Sequence, residues 1–140
     1  IAQNVAFLDS GEHYVDRIRT YPFHAQILKK GTMFDTKTNG PIRIGNDVWI
    51  GFNSTILSGS QIGNGVVIAA HSLVIGNLEP YGIYAGVPAK LIKKRFSQKQ
   101  IEQLEKIAWW NWSEDNIKSN ILDFYNLSID EFINKHQGKS

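Results

Sequence analysis

The sequence contains no cysteine. A disulfide scaffold, a thiolate metal site and a cysteine nucleophile are thereby excluded. It also lacks any apolar run approaching the ~20 residues needed to span a bilayer, and no secretory signal is visible. Charge of one sign is missing too. The 15 lysines and arginines against 13 aspartates and glutamates leave +2, too mild a balance to make nucleic acid or a membrane surface the main partner. A cytoplasmic location is expected. No P-loop, Gly-x-Gly-x-x-Gly or metal-ligand cluster occurs, so an enzyme of the P-loop or dinucleotide kind is not expected and no metal is called for. The Asn-x-Ser/Thr triplets at Asn53, Asn111 and Asn126 read as chance matches.

What is present is a chain of 140 residues, 42% hydrophobic and 20% charged. That suits one globular domain with a real core. Its middle repeats every six residues. Ile44, Ile50, Ile56, Ile62, Ile68 and Val74 are evenly spaced. Gly45, Gly51 and Gly63 follow three of them, and Ile42, Val48, Ser54, Ser60, Val66 and Ser72 stand two residues before each. An α-helix does not repeat every six, and a half-buried strand alternates without recurring glycines. The pattern predicts a chain wound into a triangular prism with one hexad per face. The aliphatic residues stack inward at the ~4.8 Å spacing of adjacent strands, and small residues serve the corners. A short β-sandwich with glycine turns is the competing reading. The prediction is an all-β solenoid, a parallel β-helix spanning residues 1–96, with a helical extension over residues 97–140.

Residues 1–8 hold a further piece, with Ile1 and Phe7 six apart. Residues 9–40 lose the period and read as a loop thrown out from the coil, a segment kind that is usually functional. The hexads make only about two coils, fewer than repeat folds usually need. The expectation is that coils precede Ile1 in the intact protein, or that neighbouring subunits supply the missing burial. After Pro80 the hexads end, and Pro80, Gly82, Gly86 and Pro88 mark a non-helical crossing strand. Helices then follow. Ser97 and Gln100 form a capping-box pattern ahead of Ile101, Leu104 and Ile107. Ser113 is placed to cap a second helix carrying Ile117, Ile121 and Leu122. Ser128 and Glu131 form another capping box, with Leu127 and Phe132 as its hydrophobic staple. Trp109, Trp110 and Trp112 are expected to pack these helices, an aromatic ligand shelf being the functional alternative.

Three stretches carry a resemblance: GNDVWIG from Gly45, IGNGVVIAAHSLV from Ile62 and EPYGIYAGVPAKLIKKRF from Glu79. With Glu12-His13-Tyr14, Thr20-Tyr21-Pro22-Phe23 and the tail RFSQKQIEQLEKIAWWNWSEDNI from Arg95, the chain resembles the xenobiotic acetyltransferase branch (chloramphenicol and streptogramin acetyltransferase-like) of the hexapeptide-repeat acyltransferases. The resemblance implies a left-handed parallel β-helix, a homotrimer with sites at subunit interfaces, acetyl-CoA as donor and a hydroxyl as acceptor, with antibiotic resistance as one setting. It carries His13 over as catalytic base and places Trp49 near the thioester. The Ile68–Ser72 turn, with Ala69 and Ala70, is implied beside the pantetheine arm, Gly51 is implied among the cofactor-binding residues, and Lys90 and Lys93 near the cofactor phosphates. Tyr14 and Tyr21 belong to the loop that shapes the choice of acceptor. The wider sugar acetyltransferases often have Thr-Lys where this chain has Ile75-Gly76, a departure that counts against one phosphate contact.

The residues speak for some of these roles directly. An alcohol attacking a thioester must lose its proton, and histidine, with pKa ~6.5, can accept it at neutral pH. His13 lies near Asp9, Glu12 and Asp16, and a carboxylate or a backbone carbonyl could hold its ring in the right tautomer. His24, His71 and, last, His136 near a frayed C-terminus are rival histidines. Lacking a Gly-x-Ser-x-Gly elbow, the chain is read as transferring the acyl group directly. Lys90, Lys93, Lys94 and Arg95 cluster after Pro88 and can meet phosphates, a solvated basic edge being the plain alternative. The leading expectation is an acetyl-CoA-dependent O-acetyltransferase acting on a drug such as chloramphenicol or a streptogramin, or on a polysaccharide sugar. A non-catalytic trimeric scaffold and an N-acetyltransferase on an amino sugar are the alternatives.

Overall fold

The computed structural model describes residues 1–138. In chain order the strands are β1 (Ala6–Leu8), β2 (Glu12–His13), β3 (Thr36–Lys37), β4 (Arg43–Ile44), β5 (Trp49–Ile50), β6 (Thr55–Leu57), β7 (Gln61–Ile62), β8 (Val67–Ile68), β9 (Leu73–Val74), β10 (Asn77–Leu78), β11 (Gly82–Gly86) and β12 (Ala89–Lys94). The helices are α1 (Phe23–Gln26), α2 (Gln98–Ile107), α3 (Glu114–Ser119), α4 (Asp123–Asn126) and α5 (Ile129–His136).

The hexads decide which residues pair. Ile44 lies beside Ile62, Ile50 beside Ile68 and Ile56 beside Val74, each partner three hexads further on. All but Ile44 are buried, and together with Val66, Leu78 and Tyr84 they form one apolar cluster. Ile44 ends its ladder and stays 40% exposed. The strands sort into parallel sheets β1-β6-β9 and β10-β7-β4, and into β12-β11-β8-β5, where β12 is antiparallel. The β2-β3 ribbon stands apart as a fourth sheet.

This corrects the expected fold class. Among the described residues the chain is a mixed α/β assembly of four small sheets and C-terminal helices, with no closed or curled sheet forming a left-handed β-helix solenoid. The six-residue period fixes pairing partners but not sheet extent. Most strands have two or three residues, and from β3 to β11 each consecutive strand enters a different sheet. Each sheet therefore stays narrow and open, and an antiparallel strand ends the widest one.

The tail follows its capping signals. Ser97 and Ser128 each accept a hydrogen bond from the backbone N–H three residues on, with Gln100 and Glu131 reaching back to complete both boxes. Ser113 caps α3, which ends at Ser119 and leaves Ile121 and Leu122 outside it. Ile101, Leu104, Phe132 and Ile133 bury against Tyr81, with Leu127 and Trp112 at the margin. Trp112 stacks on Phe132 at 6.3 Å, so this tryptophan packs the helices. The region joins the sheets through Asn64 Nδ2, which donates to Glu105 Oε2 at 2.9 Å, and Arg95 Nη1, which donates to the Gly65 carbonyl at 2.8 Å. His136 is not on a frayed end. It is buried, 2.9 Å from Asp123 through Nε2, with its ring against Trp112 and Phe132.

Candidate functional site

His13 sits in β2, whose partner β3 sets His13 opposite Thr36. The preceding residue ties this ribbon to the sheets. Ser58 Oγ donates to Glu12 Oε1 at 2.7 Å and Asn39 Nδ2 donates to Glu12 Oε2 at 2.9 Å. Ser58 is buried in the turn after β6, so the exposed imidazole hangs from a fixed point. Its Nδ1 lies 2.7 Å from the Thr20 carbonyl. A carbonyl only accepts, so Nδ1 of the neutral ring carries the proton and Nε2 keeps its lone pair. A backbone carbonyl, not one of the nearby carboxylates, orients this ring.

Of the other histidines, His71 and His136 are bonded differently, while His24 shares the Nδ1-to-carbonyl contact at a longer distance. His71 Nδ1 accepts from Asn53 Nδ2 at 3.1 Å, which puts its proton on Nε2 and leaves no free acceptor. His24 Nδ1 faces the Gly31 carbonyl at 3.3 Å, with its ring edge-on to Phe34. His136 is spent on Asp123. Tyr14 lies under the Arg17 guanidinium, 3.5 Å from ring centroid to cation, and Tyr21 packs edge-on against Phe23. Both tyrosines share the His13 loop.

A second group forms on the four-stranded sheet. Trp49 pairs with Val67, Val67 with Ile83 and Ile83 with Lys93. Directly paired residues share a face, so these four make one cross-strand row. The alternate row, Ile50, Ile68 and Tyr84, is buried, which places the Trp49 row outside. Three inter-strand steps of about 4.8 Å separate Trp49 from Lys93 by about 14 Å. Lys90 pairs with Ala85, two residues from Ile83, and so lies on the same outer face. Spacing alone would oppose Lys90 and Lys93, because side chains alternate along a strand. A bulge at Ile92 inserts one residue and brings them into phase.

Gly51 closes the apolar end of this face. A Cβ there would stand 2.5 Å from the Ala70 nitrogen and 2.8 Å from the Ile68 carbonyl oxygen. Only glycine lets the two backbones stack. Ala69 is half-buried and Ala70 exposed on that turn. Lys94 pairs with Glu79 at 3.2 Å, and Arg95 with Asp47 at 3.5 Å. Arg95 also lies over the rings of Tyr81 and Phe96. Lys90 and Lys93 make no ion pair among the described residues, which leaves them as the unengaged members of the basic cluster. Ile75 is exposed, and Gly76 occupies a left-handed turn at φ 80°.

The structure thus brings the predicted residues together in two groups, His13 with Tyr14 and Tyr21, and Trp49 with Gly51, Ala69, Ala70, Lys90 and Lys93. No hydrogen bond joins the groups among the described residues. A cavity of about 560 Å³ lies elsewhere, among Tyr81, Trp109, Phe124, Tyr125 and Phe132, and includes no predicted site residue. Sequence reasoning passed over Ser58 and Asp35. Asp35 carries one signal, as the only acidic residue between Asp16 and Asp47 in an otherwise basic stretch.

The chain is similar to known acetyltransferases. A model of the bacterial transferase hexapeptide (six repeats) family matches residues 41–76. A probable macrolide acetyltransferase of Lysinibacillus sphaericus is 46% identical over 97% of this chain and 79% of its own length. A chloramphenicol acetyltransferase of Morganella morganii is 51% identical over 85% of this chain and 59% of its own. The crystal structure of a hexapeptide-repeat-containing acetyltransferase from Vibrio cholerae, complexed with acetyl coenzyme A, is 28% identical with a TM-score of 0.52, over 66% of this chain and 44% of that one. The chain therefore spans less than two thirds of the last two relatives. Among the described residues no helix is long and apolar enough to cross a membrane. With near-complete coverage at 46% identity and the hexads paired as described, the chain belongs to the bacterial hexapeptide-repeat acetyltransferases, acyltransferases that draw their acetyl group from acetyl-CoA.

Proposed function

We propose that this chain moves the acetyl group of acetyl-CoA to a hydroxyl of a small molecule or sugar, with His13 as general base. The observation that carries the assignment is the 2.7 Å contact from His13 Nδ1 to the Thr20 carbonyl, which leaves Nε2 free to accept a proton. Nε2 takes the acceptor's hydroxyl proton as the oxygen forms a bond to the thioester carbonyl carbon. The tetrahedral adduct then breaks its carbon–sulfur bond, and the imidazolium returns the proton to sulfur. The products are an acetyl ester and free CoA thiol, with atoms and charge balanced.

The outer face of the four-stranded sheet suits the donor. Trp49, Val67 and Ile83 offer an apolar path to the pantetheine arm beside the Gly51–Ala70 stack. Lys90 and Lys93 lie at its far side, placed for charge-assisted bonds to phosphates. Tyr14 and Tyr21 share the loop that holds the base and are assigned to the acceptor. Because His13 and Trp49 belong to separate groups of one chain, the working site is assembled between copies, and a homotrimer is the assembly we favour. Residues 1–96 then form the catalytic unit and residues 97–140 its helical extension. The relatives point to a chloramphenicol-like or macrolide-like acceptor.

The test is release of free thiol from acetyl-CoA with a panel of chloramphenicol, a macrolide, a streptogramin and a galactoside. His13→Ala should lose about 10²–10⁴-fold in rate with its circular dichroism unchanged. A variant as fast as the parent would remove His13 from the chemistry. Absence of thiol release with every acceptor, together with no heat on titrating CoA, would favour a non-catalytic scaffold.

A further inference from the structure

We propose that Asp35 is a positioning residue for His13, because one buried carboxylate joins both arms of the cradle that orients the imidazole. The first arm is the strand pairing. Asp35 immediately precedes β3, and its neighbour Thr36 is the residue paired with His13. The second arm is the segment that supplies the Thr20 carbonyl. Asp35 Oδ1 accepts from Arg19 Nη1 at 2.8 Å, and Oδ2 accepts from the Ala25 backbone N–H at 2.7 Å. The same Arg19 Nη1 donates to the Tyr21 carbonyl at 2.6 Å. Thr20 lies between Arg19 and Tyr21, so the grip on its two neighbours fixes where its carbonyl points.

The energetics agree with that role. Asp35 is 1% exposed, and a carboxylate is seldom so buried unless it is paired and fully bonded. Burial pushes its pKa up, yet the bonds from Ala25, Arg19 and His24 outweigh burial and hold it below the ordinary carboxylate range. The group is therefore an anion at neutral pH, and its acceptor capacity is used on the loop rather than on the apolar core. Nothing about Asp35 requires contact with acceptor or donor. It acts through the carbonyl that keeps the proton on Nδ1.

This inference rests on the reading of His13 as base, and the readout is chosen to separate the two. In protein labelled with ¹⁵N-histidine, the ring shifts of His13, assigned by difference with His13→Ala, report its tautomer without any reaction. The parent should show the Nδ1–H form. Asp35→Asn keeps the shape but turns one acceptor oxygen into a donor. It should move His13 toward a mixture of tautomers and lower kcat by about tenfold to hundredfold, less than loss of the base itself. KM for acetyl-CoA should stay within about twofold, because the donor face is a separate group of residues. Arg19→Gln should shift the tautomer in the same direction. An Asp35→Asn protein with the parent's tautomer and kcat would overturn the proposal. So would failure of both variants to fold, since the carboxylate would then be a folding element only. If His13→Ala is active while Asp35→Asn still changes the tautomer, the base assignment falls and the positioning stands.

Discussion

Replacing Gly51 by alanine tests how tightly the backbones of β5 and β8 are stacked. The added Cβ would lie 2.5 Å from the Ala70 nitrogen and 2.8 Å from both the Ala69 carbonyl carbon and the Ile68 carbonyl oxygen. All of these are backbone atoms at the end of paired strands, so no side-chain rotation relieves the clash. Relief requires the chain to move outward by nearly an ångström, which opens the Gly51 N–H bond to the Ile68 carbonyl, now 2.8 Å. A lost ladder bond costs about 1 kcal/mol, and overpacking a well-packed site costs about 1–3 kcal/mol. The sum, about 2–4 kcal/mol, corresponds to a fall in Tm of about 8–16 °C at ~4 °C per kcal/mol for a chain of this size. The assay is thermal unfolding followed by circular dichroism. Gly76→Ala is the control. Gly76 has φ 80°, and a Cβ added there would meet no atom within 4 Å, so its cost is backbone strain alone, about 1–2 kcal/mol. Crowding at Gly51 is refuted if Gly51→Ala melts within about a degree of the parent, or no lower than Gly76→Ala.

Further outcomes follow from the donor face and the tail. Lys93→Ala should raise KM for acetyl-CoA about tenfold with kcat nearly unchanged, through loss of one charge-assisted bond, whereas Lys94→Ala, whose partner is Glu79, should leave KM as it is; steady-state kinetics on the two variants decides. The Asp123 carboxyl is held below its ordinary 3.8 chiefly by the bond from Lys135, with desolvation opposing and the bond from His136 assisting. A depressed carboxyl stabilises the fold above its unfolded pKa and loses that contribution as pH falls through the folded value. Tryptophan fluorescence from the Trp112 cluster should therefore report loosening of the helices below about pH 4. Asp123→Asn should flatten that acid dependence while lowering stability at neutral pH.

The core was legible because burial repeats at a fixed interval. Ile50, Ile56, Ile62, Ile68 and Val74 stand out at every sixth residue and are all buried. The same interval did not disclose the architecture, because it says who pairs with whom and nothing about how many strands a sheet gathers. The capping boxes at Ser97 and Ser128 were legible for a local reason: both partners lie within one turn of helix. Asp35 was not. Its link to Arg19 spans 16 positions that include the short helix α1, and no periodicity reports a contact of that kind. His136 shows the converse error. Nearness to a chain end suggested fraying, but an amphipathic last helix buries it together with Phe132 and Ile133.

The extra residue in β12 bears on how such enzymes are matched to one another. On a flat ribbon, two lysines on the same face would be separated by a single intervening position. Here Leu91 and Ile92 both intervene, and the protruding Ile92, 63% exposed, absorbs the mismatch. Counting letters between basic residues would therefore set equivalent positions out of step, and an alignment that slid a gap through this hairpin would turn one of these lysines from the outer face of the sheet toward the interior.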